Sequence, residues 1–83
     1  MKLAKFVKFR EEKFGGVLFE TRSEKVFTLN PTATAVVREI NAGTSEADIP
    51  GRVKAGFDGD GSAIDREVRE FLAELRSKAL VEE

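Results

Sequence analysis

The stretch of residues 25–44, KVFTLNPTATAVVREINAGT, changes from the pattern of a strand to that of a helix at a single point. Lys25–Leu29 is rich in β-branched and aromatic residues, which favours a strand. Asn30 is a favourable N-cap, and Pro31 suits the first helical position because its missing N–H is not needed there. Gly43 is placed to end the helix in the left-handed conformation. The segment therefore predicts a strand followed directly by a helix.

Two further segments before this boundary have the character of strands. Residues 16–21 are β-rich, and the polar residues 22–24 would join them to Lys25–Leu29 as a hairpin. Residues 5–10 fit both a helical and an alternating pattern. We interpret them as a third strand because a lone hairpin is only marginally stable in water. Gly15 and Gly16 are expected to form the reversal that precedes the second strand.

The chain after this boundary is predicted to be helical. A second helix near residues 46–56 would be short or kinked because of Pro50, with Thr44 or Ser45 as its cap. The last helix is predicted to have Ser62 as its N-cap. Its apolar face repeats with helical spacing and consists of Ile64, Val68, Phe71, Leu72 and Leu75. The fold class is therefore α+β, a small sheet followed by three helices.

Composition limits the possible functions. The 83 residues make one domain, residues 1–83, and 14 basic against 15 acidic residues leave a net charge of −1, which argues against a dedicated nucleic-acid binder. The absence of cysteine and histidine removes the thiol nucleophile and the commonest general base and metal ligand. We therefore predict a protein that is not an enzyme and has no cofactor, metal or membrane segment. The expected location is the cytoplasm.

Four motifs occur in an order that resembles the PqqD family, small peptide chaperones also called RiPP recognition elements. They are Phe14-Gly15-Gly16-Val17-Leu18, Leu29-Asn30-Pro31-Thr32-Ala33, Gly43-Thr44, and the last-helix pattern Val68, Phe71, Leu72, Leu75, Leu80 and Val81. The resemblance spans about residues 5–82. It implies a winged-helix-like fold in which a three-stranded antiparallel sheet packs on three helices.

The resemblance also implies a function. Such modules bind the leader segment of a ribosomally made precursor peptide and present it to a modifying enzyme, often a radical SAM enzyme. The leader adds as a fourth strand beside the third strand, in a cleft against the third helix. Two positions depart from the family: Ala79 stands where a glycine usually ends the last helix, and Glu67 where aspartate is common. A left-handed cap is less favourable on alanine, so a differently shaped helix end is expected.

The third strand has features that suit strand addition. If Lys25–Leu29 is a sheet edge, its unpaired backbone groups can bind a guest strand. One flank of the last helix carries Arg69 and Arg76 in line with Leu72 between them, and the other carries Glu67, Phe71, Glu74 and Lys78. We predict that the Arg69–Leu72–Arg76 flank lines the cleft. The predicted peptide-binding residues are Lys25, Val26, Phe27, Thr28, Leu29, Arg69, Leu72 and Arg76.

Two other functions remain open at this point. Two helices joined at Gly43-Thr44 are similar to a helix-turn-helix, which suggests a DNA-binding winged-helix domain. Residues 65–78 hold four basic and four acidic residues, and this balance is unfavourable for a helix in the major groove. The other alternative is a structural adaptor that binds a protein through its sheet edge. An exposed edge is compatible with a monomer or with a strand-exchanged homodimer.

Overall fold

The computed structural model describes all residues, 1–83, and contains five strands and three α-helices. The strands are β1 Lys2–Leu3, β2 Val7–Glu12, β3 Gly15–Glu20, β4 Lys25–Leu29 and β5 Val81–Glu82. The helices are α1 Pro31–Asn41, α2 Ile49–Ala55 and α3 Gly61–Ser77, with a 3-10 turn, Glu46–Asp48, before α2. The predicted α+β class is confirmed.

The main sheet has the strand order β2-β3-β4 and is antiparallel throughout, as predicted. The predicted reversal is wrong in detail, because the turn between β2 and β3 is formed by Lys13 and Phe14. Gly15 and Gly16 lie inside β3. A Cβ at Gly15 would overlap the carbonyl oxygen of Leu29, and one at Gly16 would lie 2.9 Å from Thr34 Oγ1. These glycines therefore permit close packing and do not form the turn.

A second, two-stranded sheet pairs β1 with β5 in antiparallel register. Leu3 lies opposite Val81, and the Ala4 amide donates to the Leu80 carbonyl oxygen at 2.9 Å. The sequence does not indicate this sheet, because strands of two residues are too short to show alternation. The sheet places the first and last segments of the described chain side by side.

Helix α1 forms as predicted at both ends. The Asn30 side chain accepts a hydrogen bond from the Ala33 amide at 2.8 Å, which satisfies one of the free amides of the first turn. At the other end Gly43 has φ 84°. The Gly43 amide donates to Ile40 at 3.1 Å and the Thr44 amide to Glu39 at 3.1 Å, which is the bonding pattern of a Schellman cap.

The start of the second helical segment differs from the prediction. The Ser45 hydroxyl donates to the Asp48 carboxylate at 2.9 Å and caps no backbone amide, while the Thr44 hydroxyl donates to Glu39 at 2.6 Å. Pro50 lies in the first turn of α2, because the preceding residues form the separate 3-10 turn. A proline is tolerated there because that amide has no partner within the helix.

The structure of α3 differs from the prediction at both ends of the helix. Asp60, and not Ser62, is the N-cap, because its carboxylate accepts from the Ser62 amide at 2.9 Å. At the C-terminal end Ala79 adopts φ 57°, the left-handed conformation that glycine favours. The Leu80 amide donates to the Leu75 carbonyl oxygen at 2.9 Å. The helix therefore ends in the left-handed conformation usual for a glycine, although the residue is alanine, and the expected difference in shape is not seen.

The core lies between the main sheet and the three helices and is aliphatic. Its buried members are Val7, Leu18, Leu29, Ala33, Ala35, Val36, Val37, Ile40, Ile49, Val53, Val68, Leu72, Leu75 and Leu80. Phe9, Phe27, Phe57 and Phe71 pack against this cluster while partly exposed. Because α1 is buried along most of its length, it connects the sheet to α3 and fixes the space between them.

Candidate functional site: the cleft between β4 and α3

β4 forms one edge of the main sheet. It pairs with β3 on one side and with no strand on the other. In an antiparallel strand every second residue turns its N–H and C=O away from the neighbouring strand. No backbone or side-chain group outside β3 forms a hydrogen bond with the backbone of Lys25–Leu29. This edge therefore has free donors and acceptors for an additional strand.

The free edge of β4 faces a cleft of about 440 Å³ whose opposite wall is α3. The floor is apolar and buried, and it consists of Leu18, Leu29, Ala33, Leu75 and Leu80. The walls are Val26, Phe27 and Thr28 from β4 and Phe71, Glu74 and Lys78 from α3. An extended segment beside β4 could therefore place alternate side chains on an apolar floor while its backbone bonds to the strand.

Asn30 closes the end of the cleft where β4 passes into α1. Its Oδ1 accepts from the Ala33 amide, and its Nδ2 donates to Glu67 Oε2 on α3 at 3.1 Å. One side chain thus caps α1 and connects it to the facing helix. Further along α3, Lys78 Nζ and Glu74 Oε1 form an ion pair at 3.0 Å on the wall of the cleft. This pair is half exposed, so both charges remain available to a guest strand.

Four of the five predicted β4 residues line the cleft, namely Val26, Phe27, Thr28 and Leu29, whereas Lys25 does not. The prediction that the Arg69–Leu72–Arg76 flank lines the cleft is wrong. Leu72 is buried in the core. Arg69 pairs with Asp65 of the same helix at 3.2 Å. Arg76 binds Glu46 of the 3-10 turn through Nη1 at 2.7 Å. This flank therefore faces α2 and not β4.

The hydrogen bonds of Arg76 also perturb the charges around it. They hold the pKa of Glu46 below its usual value and raise the pKa of Arg76. Glu83 is a second partner, bound by Arg76 Nε at 2.9 Å. The arginine is therefore already occupied by two carboxylates of its own chain.

The flank of α3 that does line the cleft carries Phe71, Glu74 and Lys78. This flank is visible in the sequence, but its position on the cleft was not predicted. A helical wheel shows two borders of an apolar face and contains no information about which border meets the sheet. The signal that could have decided it is Glu67, which belongs to the same flank and bonds to Asn30 at the end of β4.

The turn before β4 is held by one carboxylate. Glu20 accepts from the Arg22 amide at 2.9 Å and from the Ser23 amide at 3.0 Å, and it also accepts from the Ser23 hydroxyl. The hydrogen bond from the Ser23 hydroxyl is the main cause that lowers the pKa of Glu20 to about 2. Because the turn sets the direction of the following strand, Glu20 helps to place the free edge of β4.

No three Asp or Glu side chains converge closely enough to hold a metal ion. None of the helices combines the length and the apolar composition that a membrane span needs.

The profile of the family described as Coenzyme PQQ synthesis protein D (PqqD) matches residues 15–81. The chain therefore belongs to the PqqD family, as its motifs indicated. No curated protein sequence is significantly similar to it.

Three solved structures contain a similar fold. TbiB1, in complex with the TbiA(beta) leader peptide, has a TM-score of 0.83 and 23% identity over 99% of this chain and 95% of that one. Lasso peptide synthetase B1, complexed with its leader peptide, has a TM-score of 0.76 and 22% identity over 93% and 91%. Streptococcus suis SuiB has a TM-score of 0.54 and 20% identity, and the match covers 93% of this chain but 21% of SuiB.

Proposed function

We propose that this chain binds the leader segment of a ribosomally synthesised precursor peptide and presents it to a modifying enzyme of the radical SAM class. The observation that carries the proposal is the free edge of β4, which faces α3 across a cleft with an apolar floor. Membership of the PqqD family and the leader-peptide complexes of two proteins with the same fold support it. The chain would act in the cytoplasm, where such precursors are made, without catalytic activity of its own.

The expected contacts are consistent with reversible binding. Roughly four or five strand hydrogen bonds contribute about 0.5–1.5 kcal/mol each. One or two apolar side chains seated on the cleft floor add about 1.5–3 kcal/mol apiece. Association and ordering oppose binding by about 4–15 kcal/mol. The favourable and opposing contributions are of similar size, so binding is expected to be reversible, which suits a protein that passes its peptide on.

The α3 wall gives a direct test. Phe71→Ala removes an apolar surface of the cleft, and Lys78→Glu reverses a charge on its wall without changing the core. We expect Phe71→Ala to weaken binding about tenfold or more, because losing one apolar contact costs about 1.5–3 kcal/mol. The measurement is fluorescence polarisation of a fluorescein-labelled synthetic peptide with the leader sequence of the precursor encoded beside this chain.

Arg69→Glu is the matched control, since it makes the same charge change as Lys78→Glu on the same helix but outside the cleft. Its affinity for the labelled leader should stay within about twofold of the parent chain, and circular dichroism should remain native for all three variants. Equal weakening by Arg69→Glu and Lys78→Glu would show that the cleft is not the binding site. Labelled duplex DNA should not bind, and a salt-sensitive affinity for it would favour the winged-helix alternative.

A further inference from the structure

The main sheet has a second face, directed away from the helices. The strand register places Lys8, Phe19 and Val26 in one row across this face. Arg10, Val17 and Thr28 form the adjacent row. We call these six side chains the outer face. Its centre is apolar, and its β2 side is basic.

The apolar centre of the outer face is not part of the core. Val17, Phe19 and Val26 are absent from the buried cluster and from the partly buried residues packed on it. Val26 is 58% exposed. Together with Lys8 and Arg10, these residues line an open hollow of about 570 Å³. The solvent side of an antiparallel sheet is normally polar, and a contiguous apolar patch with a charged rim marks a protein-binding surface.

The charges around the patch indicate its partner. Arg10 pairs with Glu12 of its own strand at 2.6 Å, while Lys8 forms no ion pair. Lys13, at the adjoining turn, has none either. This rim is therefore basic although the chain as a whole has a net charge of −1. Two copies docked through this face would bring their cations together, whereas a partner with carboxylates around an apolar patch would complement it.

The outer face is also next to the proposed leader site. A strand added beside β4 would lie about 4.8 Å away and would direct every second side chain to the same side as Val26 and Thr28. The leader would therefore extend the outer face and would not cover it. A partner on this face could contact the chain and the bound leader at the same time.

We infer that the outer face is the docking surface for the modifying enzyme, which binds it with an apolar patch bordered by carboxylates. This inference rests on the proposed function, because it takes the enzyme to be the partner that receives the leader. It adds the location of that contact, on the opposite side of the sheet from the cleft floor. Leader and enzyme therefore bind together and do not compete.

Two variants test the outer face. Phe19→Thr removes the apolar centre while keeping a residue suited to a strand, and Lys8→Glu reverses the unpaired charge. The probe is the purified modifying enzyme encoded beside the precursor, immobilised for biolayer interferometry against the full chain with and without saturating leader peptide. Each variant should weaken enzyme binding about tenfold or more, and the Lys8 contribution should decrease as salt is raised. Arg66→Glu, a charge reversal on the exposed side of α3, should change it less than twofold.

The outcomes separate this inference from the proposed function. Leader affinity, measured by polarisation, should be native in Phe19→Thr and Lys8→Glu. Native enzyme binding by both variants would overturn the inference and leave the leader site intact. Absence of leader binding by the parent chain would overturn the proposed function, whereas the enzyme measurement without leader would still test the docking face. A parent chain that sediments as a dimer, and that Phe19→Thr converts to a monomer, would assign this face to a second copy and overturn the inference.

Discussion

At the scale of single residues, Ala79 is one of two non-glycine residues in the left-handed conformation, and Glu24 is the other. Ala79 has φ 57° at the end of α3. A residue with a Cβ destabilises the folded state by about 1–2 kcal/mol in this conformation. Glycine has its own cost of about 0.4–1 kcal/mol, because it raises the conformational entropy of the unfolded chain. We therefore expect Ala79→Gly to raise the free energy of unfolding by about 0.5–1 kcal/mol in urea denaturation. Ala73→Gly, at an exposed position inside α3, should lower it by about 0.5–1 kcal/mol, and equal losses in both variants would contradict the argument.

Glu20 makes stability depend on pH at the acidic end. Its pKa is lowered from 4.5 to about 2, chiefly by the hydrogen bond from the Ser23 hydroxyl. A carboxylate whose folded-state pKa is depressed stabilises the protein above its unfolded pKa and loses that effect as the pH falls through the folded value. We expect this contribution to disappear between about pH 4.5 and 2, with a carboxyl titration by NMR centred near pH 2. A midpoint near 4.5 would show that the turn does not depend on this carboxylate.

Residue-level predictions from sequence were correct where the cause is local. Asn30 and Pro31 define the start of α1 by their own chemistry, and the structure confirms both. Asp60 and Ser62 are both good N-caps two positions apart, so propensity alone could not choose between them. The role of Glu20 in the turn could not be predicted in this way, because its carboxylate meets the amides of Arg22 and Ser23 only after the hairpin has formed.

At the scale of elements, strand addition predicts a particular pattern of amide protection. Leader binding should slow hydrogen exchange at alternate amides of Lys25–Leu29, because only every second N–H faces the free edge. The amides of β2, which forms the opposite edge of the sheet, serve as the internal control. Protection of Val7–Glu12 with no change in β4 would show that the guest strand adds beside β2, and would contradict binding at the β4 edge.

The packing of whole elements explains which wall of the cleft could not be predicted from the sequence. The composition and position of β4 identified the strand wall, because a strand followed by a capped helix is a local pattern. The helix wall depends on how α3 crosses the sheet, and this is set by its packing on α1 and α2. Periodicity places Leu72 on the apolar face but does not show that Arg69 and Arg76 turn toward the 3-10 turn.

At the scale of the whole molecule, Gly16 is a point of close contact between the sheet and α1. A Cβ there would lie 2.9 Å from Thr34 Oγ1 and 3.2 Å from the Arg10 carbonyl oxygen. The Thr34 hydroxyl is buried and has no hydrogen-bond partner. We expect Gly16→Ala to lower the free energy of unfolding by about 1–3 kcal/mol, because an added methyl forces the layers apart.

A double-mutant cycle with Thr34→Ala checks this cause. If the hydroxyl is the obstacle, the pair should be more stable than the sum of the single changes predicts, with a coupling of about 0.5–3 kcal/mol. Strict additivity in urea denaturation would show that the strain arises elsewhere, at the Phe9 ring (Cε1 at 3.1 Å) or the Arg10 carbonyl oxygen.

The pairing of β1 with β5 has a consequence for how such a domain can be combined with others. Leu3 and Val81 are directly opposite each other, so the chain enters and leaves the fold at neighbouring points, about 5 Å apart. A domain built in this way can be spliced into a surface loop of a larger polypeptide without separating the two sides of that loop. An engineered host that receives residues 2–82 in this manner should keep its own fold and acquire the cleft as an added module.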